Sequence, residues 1–345
     1  MIVTTKDNLA DVVGHADFSV GEDLQIQCVS VNIDRGTSIG SGFRFQGKHL
    51  TLGRRSVVGD NVNIYALEQF EVGTQNVISN DCAWNCRSYR AGDNNYIGSR
   101  TIFGNRGNLN AKSLFRMGSF CHVGYACYFD LKRPIVFKDN VAIGPQSVFW
   151  THGAGLPPIL GYPEVAGDIT CEDFVWLPYH VTVMPGVTIG SNVISTSCAV
   201  ITKSVAANKF VAGVPAIVKK DFTPRKMAEE DQYGIISDRM NNFLEYAVLI
   251  GCTVNCISAV EATVRFEGQD YRVYWGKDPE GVAKHRDTPN DTVIGVRKHV
   301  DPTWACATLI ADEQIYTSNE SNKGFIDFLT HYLRGDGIDL KELPR

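Results

Sequence analysis

The sequence predicts a mainly β fold, a parallel β-helix built from hexapeptide repeats, followed by a small α+β domain. Three observations carry this. Within residues 169–220, counting by sixes from Leu177 lands on Val183, Ile189, Ser195 and Ile201, all but one of them aliphatic. Turn-forming residues follow those positions, as in Pro185-Gly186 and Gly190-Ser191-Asn192. Beyond Lys220 the period stops and helical and alternating patterns replace it. A period of six is neither the 3.6 of a helix nor the 2 of a continuous strand. It fits a solenoid in which each hexad is a short strand plus a turn, and three hexads close one coil of roughly 18 residues. Coils stack at ~4.8 Å, and the aliphatic ladder turns inward because no coil can bury it alone.

Taken in order, residues 1–17 have no period and are expected to form an arm or cap over the solenoid end. The repeat then starts with Val20 and Ile26, and continues through Ile33, Ile39 and Phe45. Leu52, Val58 and Ile64 form a clean run, and Val72, Ile78 and Trp84 resume it after a two-residue slip. Ile97 and Phe103 follow, then Met117, Val123 and Phe129, then Phe137, Ile143 and Phe149. One major break is expected at 153–168, where GAGLPPILGYPEVAGD is too rich in Pro and Gly to continue a coil and reads as an extruded loop. The solenoid domain is placed at 1–221 and the second domain at 222–345. In the latter, Ile236, Met240, Phe243, Leu244 and Ala247 have helical spacing. Ala262–Phe266 and Tyr271–Trp275 alternate about a turn and read as a hairpin. Strand-like runs at 292–297 and 304–310 follow, and Phe325, Phe328, Leu329 and Tyr332 suggest a last helix.

A chain of 345 residues is long enough for two domains. Its formal charge of -5 gives no electrostatic reason to expect nucleic acid. No apolar run approaches the ~18 residues of a membrane span, and the N-terminus lacks the apolar core of a secretory signal, so a cytoplasmic location is expected. The ten cysteines are scattered without zinc-type pairing, and several stand beside ladder positions, where a small apolar side chain fits. They are expected to be reduced, and no metal is expected.

The blocks Phe174-Val175-Trp176-Leu177, Met184 to Gly190, Ile201-Thr202-Lys203 and Ala212 to Ala216 resemble, in order and spacing, the hexapeptide-repeat acyltransferases. Those are left-handed β-helix enzymes such as the galactoside and maltose O-acetyltransferases. The resemblance implies a left-handed solenoid, acetyl-CoA as co-substrate, a homotrimer with sites between subunits, and a sugar acceptor. It implies His152, at the end of a hexad just before the extruded loop, as the catalytic base. An acceptor hydroxyl is a poor nucleophile until its proton is taken, and an imidazole, ordinarily titrating near ~6.5, takes it readily. For coenzyme A it implies Trp176 beside the pantetheine arm, and Tyr179 and Ser197 at backbone-contact positions. It further implies Thr202 and Lys203 near the adenosine phosphates, with Lys220 as a further cation.

The chain also departs from that pattern. Pro178 stands where Gly is usual, and Ser195 puts a hydroxyl on the ladder, which must find a partner or cost about 1–3 kcal/mol. The coil before the histidine reads Val123-Gly124-Tyr125 in place of an asparagine-rich segment, while Asp130 matches the aspartate after it. The acceptor site is therefore not inherited, and a different acceptor is expected, or one held by the loop and the C-terminal domain; the activity that the resemblance implies is O-acetylation of a sugar or polysaccharide precursor. Its rivals are N-acetylation of an amino sugar, a non-catalytic solenoid scaffold, and a solenoid zinc enzyme drawing on His122, His152 and His180.

Overall fold

The computed structural model describes residues 2–104, 109–153 and 155–275 and, after them, 291–295, 307–310, 315–317, 325–326, 329–330, 332–333 and 341–342. The chain divides into two compact units, Met1–Pro224 and Arg225–Arg345.

The first unit is a β-solenoid with three faces. The first face runs from Gln25–Cys28 through the leading halves of Arg44–Leu52, Asn63–Val72 and Ala83–Ala91, then Ile102–Phe103, Tyr128–Phe129, Val148–Phe149, Thr182–Val183 and Val200–Ile201. The second face takes the trailing halves of the same long strands and continues through Leu114–Met117, Ile135–Phe137, Ile169–Cys171 and Thr188–Ile189. The third runs from Phe18–Val20 to Lys209–Ala212. Every rung-to-rung pairing on these faces is parallel.

The six-residue ladder is the inside of this prism. Ile33, Leu52, Phe103, Val123, Phe129, Ile143, Phe149, Leu177, Val183 and Ile189 are all fully buried. The two-residue slips have a structural cause. Third-face partners lie 19 and 20 residues apart early in the chain (Ile39 and Val58, Val58 and Ile78), but 18 apart at Trp176 and Ile194. The additional residues sit at the corner between the first and second faces, where the register shifts between Gly47 and His49 and between Cys86 and Ser88. Longer coils enclose a wider interior, and large rings fill it. Trp84, Phe103 and Phe129 stack at centroid distances of 4.9 and 4.7 Å, and Tyr89 stacks on Phe70 at 4.8 Å. Later, shorter coils are filled by Val, Ile and Leu.

A second regularity was not read from the sequence. Three residues before ladder positions the backbone is left-handed, even without glycine: Asn61, Asp81, Asn94, Asn140 and Asn192 have φ of 55 to 59°. Asn and Asp tolerate this region best. These residues turn the two corners that enter the third and first faces. Among the described residues, no non-glycine residue with positive φ stands at the corner from the first face to the second. That corner is where the chain lengthens. It carries the expected insertion, after which Ile169–Cys171 pairs with Ile135–Phe137. It also carries a second one not expected, since ten residues separate Phe103 from Leu114, its successor on the second face.

Two residues before many ladder positions stand small donors facing inward. Ser56 Oγ, Asn76 Nδ2 and Asn95 Nδ2 donate to the carbonyls of Gly73, Gly92 and Gly118 at 3.0, 2.9 and 3.0 Å. Cys82, Cys121 and Cys127 do the same through sulfur to Gly98, Lys138 and Gly144 at 3.3, 3.1 and 3.3 Å. All nine described cysteines are free thiols.

At the start, Ile2–Thr4 pairs antiparallel with Gln25–Cys28, and a helix at Leu9–Val13 buries Leu9 against the solenoid interior. The second unit opens with a helix, Glu229–Leu249, whose Met240, Phe243 and Ala247 are fully buried. They pack in one cluster with Ala262, Val264, Val273 and Phe325. The hairpin forms between Glu261–Phe266 and Gln269–Tyr274 about Glu267 and Gly268, both at positive φ. Asp291–Gly295 and Ala307–Ile310 then add parallel strands, so the sheet is mixed. Arg297, Trp304 and Phe328 of the expected elements lie outside the described residues.

Two outcomes follow. Ser195 is 2% exposed and its hydroxyl has no partner among the described residues, so Ser195→Ala should gain about 1 kcal/mol or more in chemical denaturation. Burial pushes the Cys86 and Cys121 thiols up to about 12, and those of Cys82 and Cys127 up to about 11. Iodoacetamide labelling of the native protein read by mass spectrometry should therefore modify exposed Cys198 and Cys256 and spare these four.

Candidate functional site

The corner between the first and second faces holds the candidate site. Val148–Phe149 ends the first-face rung, and Trp150, Thr151 and His152 follow at the corner. One coil earlier, Phe129 pairs with Phe149, which places Asp130 directly beneath these residues. Asp130 is fully buried. Its Oδ2 accepts His152 Nδ1–H at 2.5 Å, the backbone N–H of Thr151 and of His152 at 3.1 Å each, and the Thr151 hydroxyl at 2.8 Å. The Thr151 oxygen in turn accepts the Arg133 N–H at 3.1 Å.

A carboxylate only accepts, so the His152 ring proton belongs on Nδ1 and Nε2 is left as an acceptor. The His152 side chain is 24% exposed, open enough to meet a second reactant. Tyr128 stands beside this pair, and its hydroxyl is pushed above the usual tyrosine value by burial and by the Asp130 charge. Its ring meets that of Trp150 at 5.4 Å.

The extruded loop leaves from the same corner. His152–Gly153 pairs antiparallel with Val165–Ala166, the Gly167 N–H donates to the Thr151 carbonyl at 2.9 Å, and Arg133 holds Asp168 at 2.7 Å. The base of the loop is thus tied to the solenoid by three separate contacts. Its far end is apolar and in water, with Ile159 92% and Leu160 71% exposed.

The other expected residues fall into two groups. Thr202 and Lys203 are exposed and follow Ile201, which is two rungs from Phe149 through Val183, so they stand on His152's corner. Trp176 lies half-exposed on the third face, between Ala142 and Ile194. Tyr179 turns the corner from the third face to the first and donates its hydroxyl to Gln146 Oε1 at 2.5 Å. Ser197 is exposed on the next coil at that corner. Lys220, opposite Phe210 at the end of the third face, holds its ammonium 5.4 Å from that ring's centroid. Within one chain the two groups are not brought together: they border the first face on opposite sides.

The resemblance pointed to Asp130, but the site expected from the sequence did not include it, and Thr151 was missed. The signal was in the ladder: once Phe129 and Phe149 are neighbouring rungs, the residues after them stack. His180 also moves. It shares its offset from a ladder residue with His152, yet it is a left-handed turn residue (φ 58) at the other corner. His122 is on the third face, stacked with Tyr96 at 4.8 Å. Among the described residues no three His, Cys, Asp or Glu side chains are grouped to hold a metal.

No protein-family model matches the chain. Galactoside O-acetyltransferase of Escherichia coli (strain K12) is 31% identical over 122 residues, 32% of this chain and 59% of that protein. Over that stretch the chain is similar to a known acetyltransferase. A probable macrolide acetyltransferase of Lysinibacillus sphaericus is 28% identical over 112 residues, 32% of this chain and 62% of that protein. Each match therefore spans less than two thirds of the relative's length. Among solved structures, a hexapeptide-repeat acetyltransferase of Vibrio cholerae O1 biovar eltor, complexed with acetyl coenzyme A, is 20% identical, covering 50% of this chain and 71% of that one, with a TM-score of 0.31. A galactoside acetyltransferase in complex with coenzyme A is 26% identical, covering 36% and 66%, with a TM-score of 0.27. Superpositions at these TM-scores add nothing to the fold described above. No helix among the described residues is long and apolar enough to cross a membrane.

The buried end of the hydrogen-bond set is open to a stability test. Thr151→Val removes a hydroxyl donor to a buried carboxylate, and denaturant unfolding should show a loss of about 1.5–3 kcal/mol.

Proposed function

We propose that this chain is an acetyl-CoA-dependent O-acetyltransferase acting on a sugar or polysaccharide precursor, with His152 as general base. The observation that carries this is the buried Asp130 carboxylate holding His152 Nδ1–H and leaving Nε2 free at a partly open corner. In the reaction, Nε2 accepts the proton of the acceptor hydroxyl as its oxygen attacks the thioester carbonyl carbon. The tetrahedral adduct collapses with cleavage of the carbon–sulfur bond. The departing thiolate takes the proton from the imidazolium and restores neutral His152. Asp130 fixes the tautomer and stabilises the imidazolium. Its contacts to the backbone of residues 151 and 152 hold the ring in place, so little reorganisation accompanies proton transfer.

In this reading Thr202 and Lys203, with Lys220 as a further cation, meet the phosphates of coenzyme A, Trp176 lies beside its pantetheine arm, and Tyr179 and Ser197 are backbone-contact positions. Thr202 and Lys203 lie on one side of the first face and Trp176, Tyr179, Ser197 and Lys220 on the other, so a complete cofactor groove calls for a second copy of the chain. A homotrimer supplies one at every site. The loop 153–168, starting at His152 itself, would cover the acceptor. Free thiols and a need for acetyl-CoA fit a reducing cytoplasm.

Calorimetry with acetyl-CoA and turnover with labelled acetyl-CoA test this reading. His152→Ala should bind the cofactor as wild type does and lose about 10²–10⁴-fold in kcat. Undiminished transfer would remove His152 from its role. Parallel assays with a hydroxyl sugar and an amino sugar separate O- from N-acetylation.

A further inference from the structure

The first face carries a second feature, far from His152 in sequence and continuous with it in space. Two rows of side chains point outward there, two residues apart on every strand. Register fixes one row as Gln25, Arg44, Asn63, Ala83, Ile102 and Tyr128. The other is Gln27, Gln46, Tyr65 and Asn85; its positions after Phe103 and Phe129 are taken by Gly104 and by Asp130, both buried. Between the rows, on the first coils, lies a cavity of about 600 Å³ lined by Gln25, Gln27, Arg44, Gln46, Asn63 and Tyr65 among others. The N-terminal segment, with Val3 paired to Gln27, closes its outer end.

The chemistry of this track is specific. It offers planar amides and one guanidinium, and no carboxylate before Asp130. Arg44 hydrogen-bonds Gln25 at 3.4 Å and has no carboxylate partner among the described residues. Aromatic rings recur along it: Tyr65 is 38% exposed, and Trp150, beside Tyr128, is 40% exposed. Amides and guanidinium groups suit hydroxyl and carboxylate partners, and aromatic faces suit the C–H face of a sugar ring. A peptide strand would need unpaired backbone at a sheet edge, whereas this backbone is consumed by its own ladder. A nucleic acid would need many cations, and the track has one.

Resting on the acetyltransferase reading, we propose that the first face is a binding track for an acidic glycan chain, which it leads to His152. An acidic sugar is held at Arg44, a ring packs on Tyr65, and a residue further along the chain is presented at the Asp130–His152 pair. Tyr65 and Trp150 are four rungs apart, roughly 19 Å at the ordinary strand spacing, a span that only an oligomer bridges. The acceptor is then a polymer or oligomer, with its specificity set partly by coils remote from the chemistry.

Calorimetry with oligogalacturonate, hyaluronan and oligosialate of matched chain length, against a neutral dextran, tests the proposal. At least one acidic oligomer should bind the full-length protein and the dextran should not. Arg44→Ala and Tyr65→Ala should each weaken binding about tenfold, near 1.4 kcal/mol, while His152→Ala binds as wild type. Both altered side chains are exposed, and circular dichroism checks that the variants fold. The two variants should keep wild-type kcat on a free monosaccharide acceptor. Binding of none of the acidic oligomers, equal binding of dextran, or wild-type affinity in both variants would overturn the track. Transfer retained by His152→Ala would overturn the base assignment and leave the track standing.

Discussion

Each coil of this protein must return to the place where the previous one began, so that rung meets rung and ladder residue meets ladder residue. The left-handed residue three positions before the ladder meets this constraint at two of the three corners. There the backbone is fixed, and adding a residue would throw the inward aliphatic of the next strand into water. The parallel pairing and the buried ladder both depend on those turns.

The remaining corner is free of that requirement, and the variable parts of the solenoid collect there. Bulges, an unexpected insertion and the loop at 153–168 all leave from the junction of the first and second faces. The candidate site sits at the same junction because a residue there can be buried on one side and open on the other. Asp130 and His152 divide these roles, one fully buried and the other partly exposed. The corners with left-handed turns set the relative height of the two residues, which differ by one coil, and the corner of variable length gives the imidazole its access.

Much of this was legible in the sequence because a solenoid writes its core as a period. Ile33, Phe103, Ile143 and Ile189 were placed inward by counting alone, as were the helix of Met240 and Phe243 and the hairpin about Gly268. What the period could not give was the identity of the corner. His152 and His180 share an offset from a ladder residue, and only the closed coil puts them at different edges. Thr151 escaped for a related reason: its importance lies in a contact to Asp130, which is 21 residues away in sequence and one rung away in space. The insertion after Phe103 was hidden because the ladder resumes at Met117 with an ordinary-looking slip.

The inward-facing donors account for the cysteines that stand beside the ladder. Ser56, Asn76, Asn95, Cys82, Cys121 and Cys127 perform one task, capping a turn carbonyl from the coil above. Thiol, hydroxyl and carboxamide are thus synonyms at these positions. A lineage can drift among them without touching catalysis, and a biochemist can write serine for the three thiols to obtain a scaffold whose remaining cysteines are chosen for attaching probes.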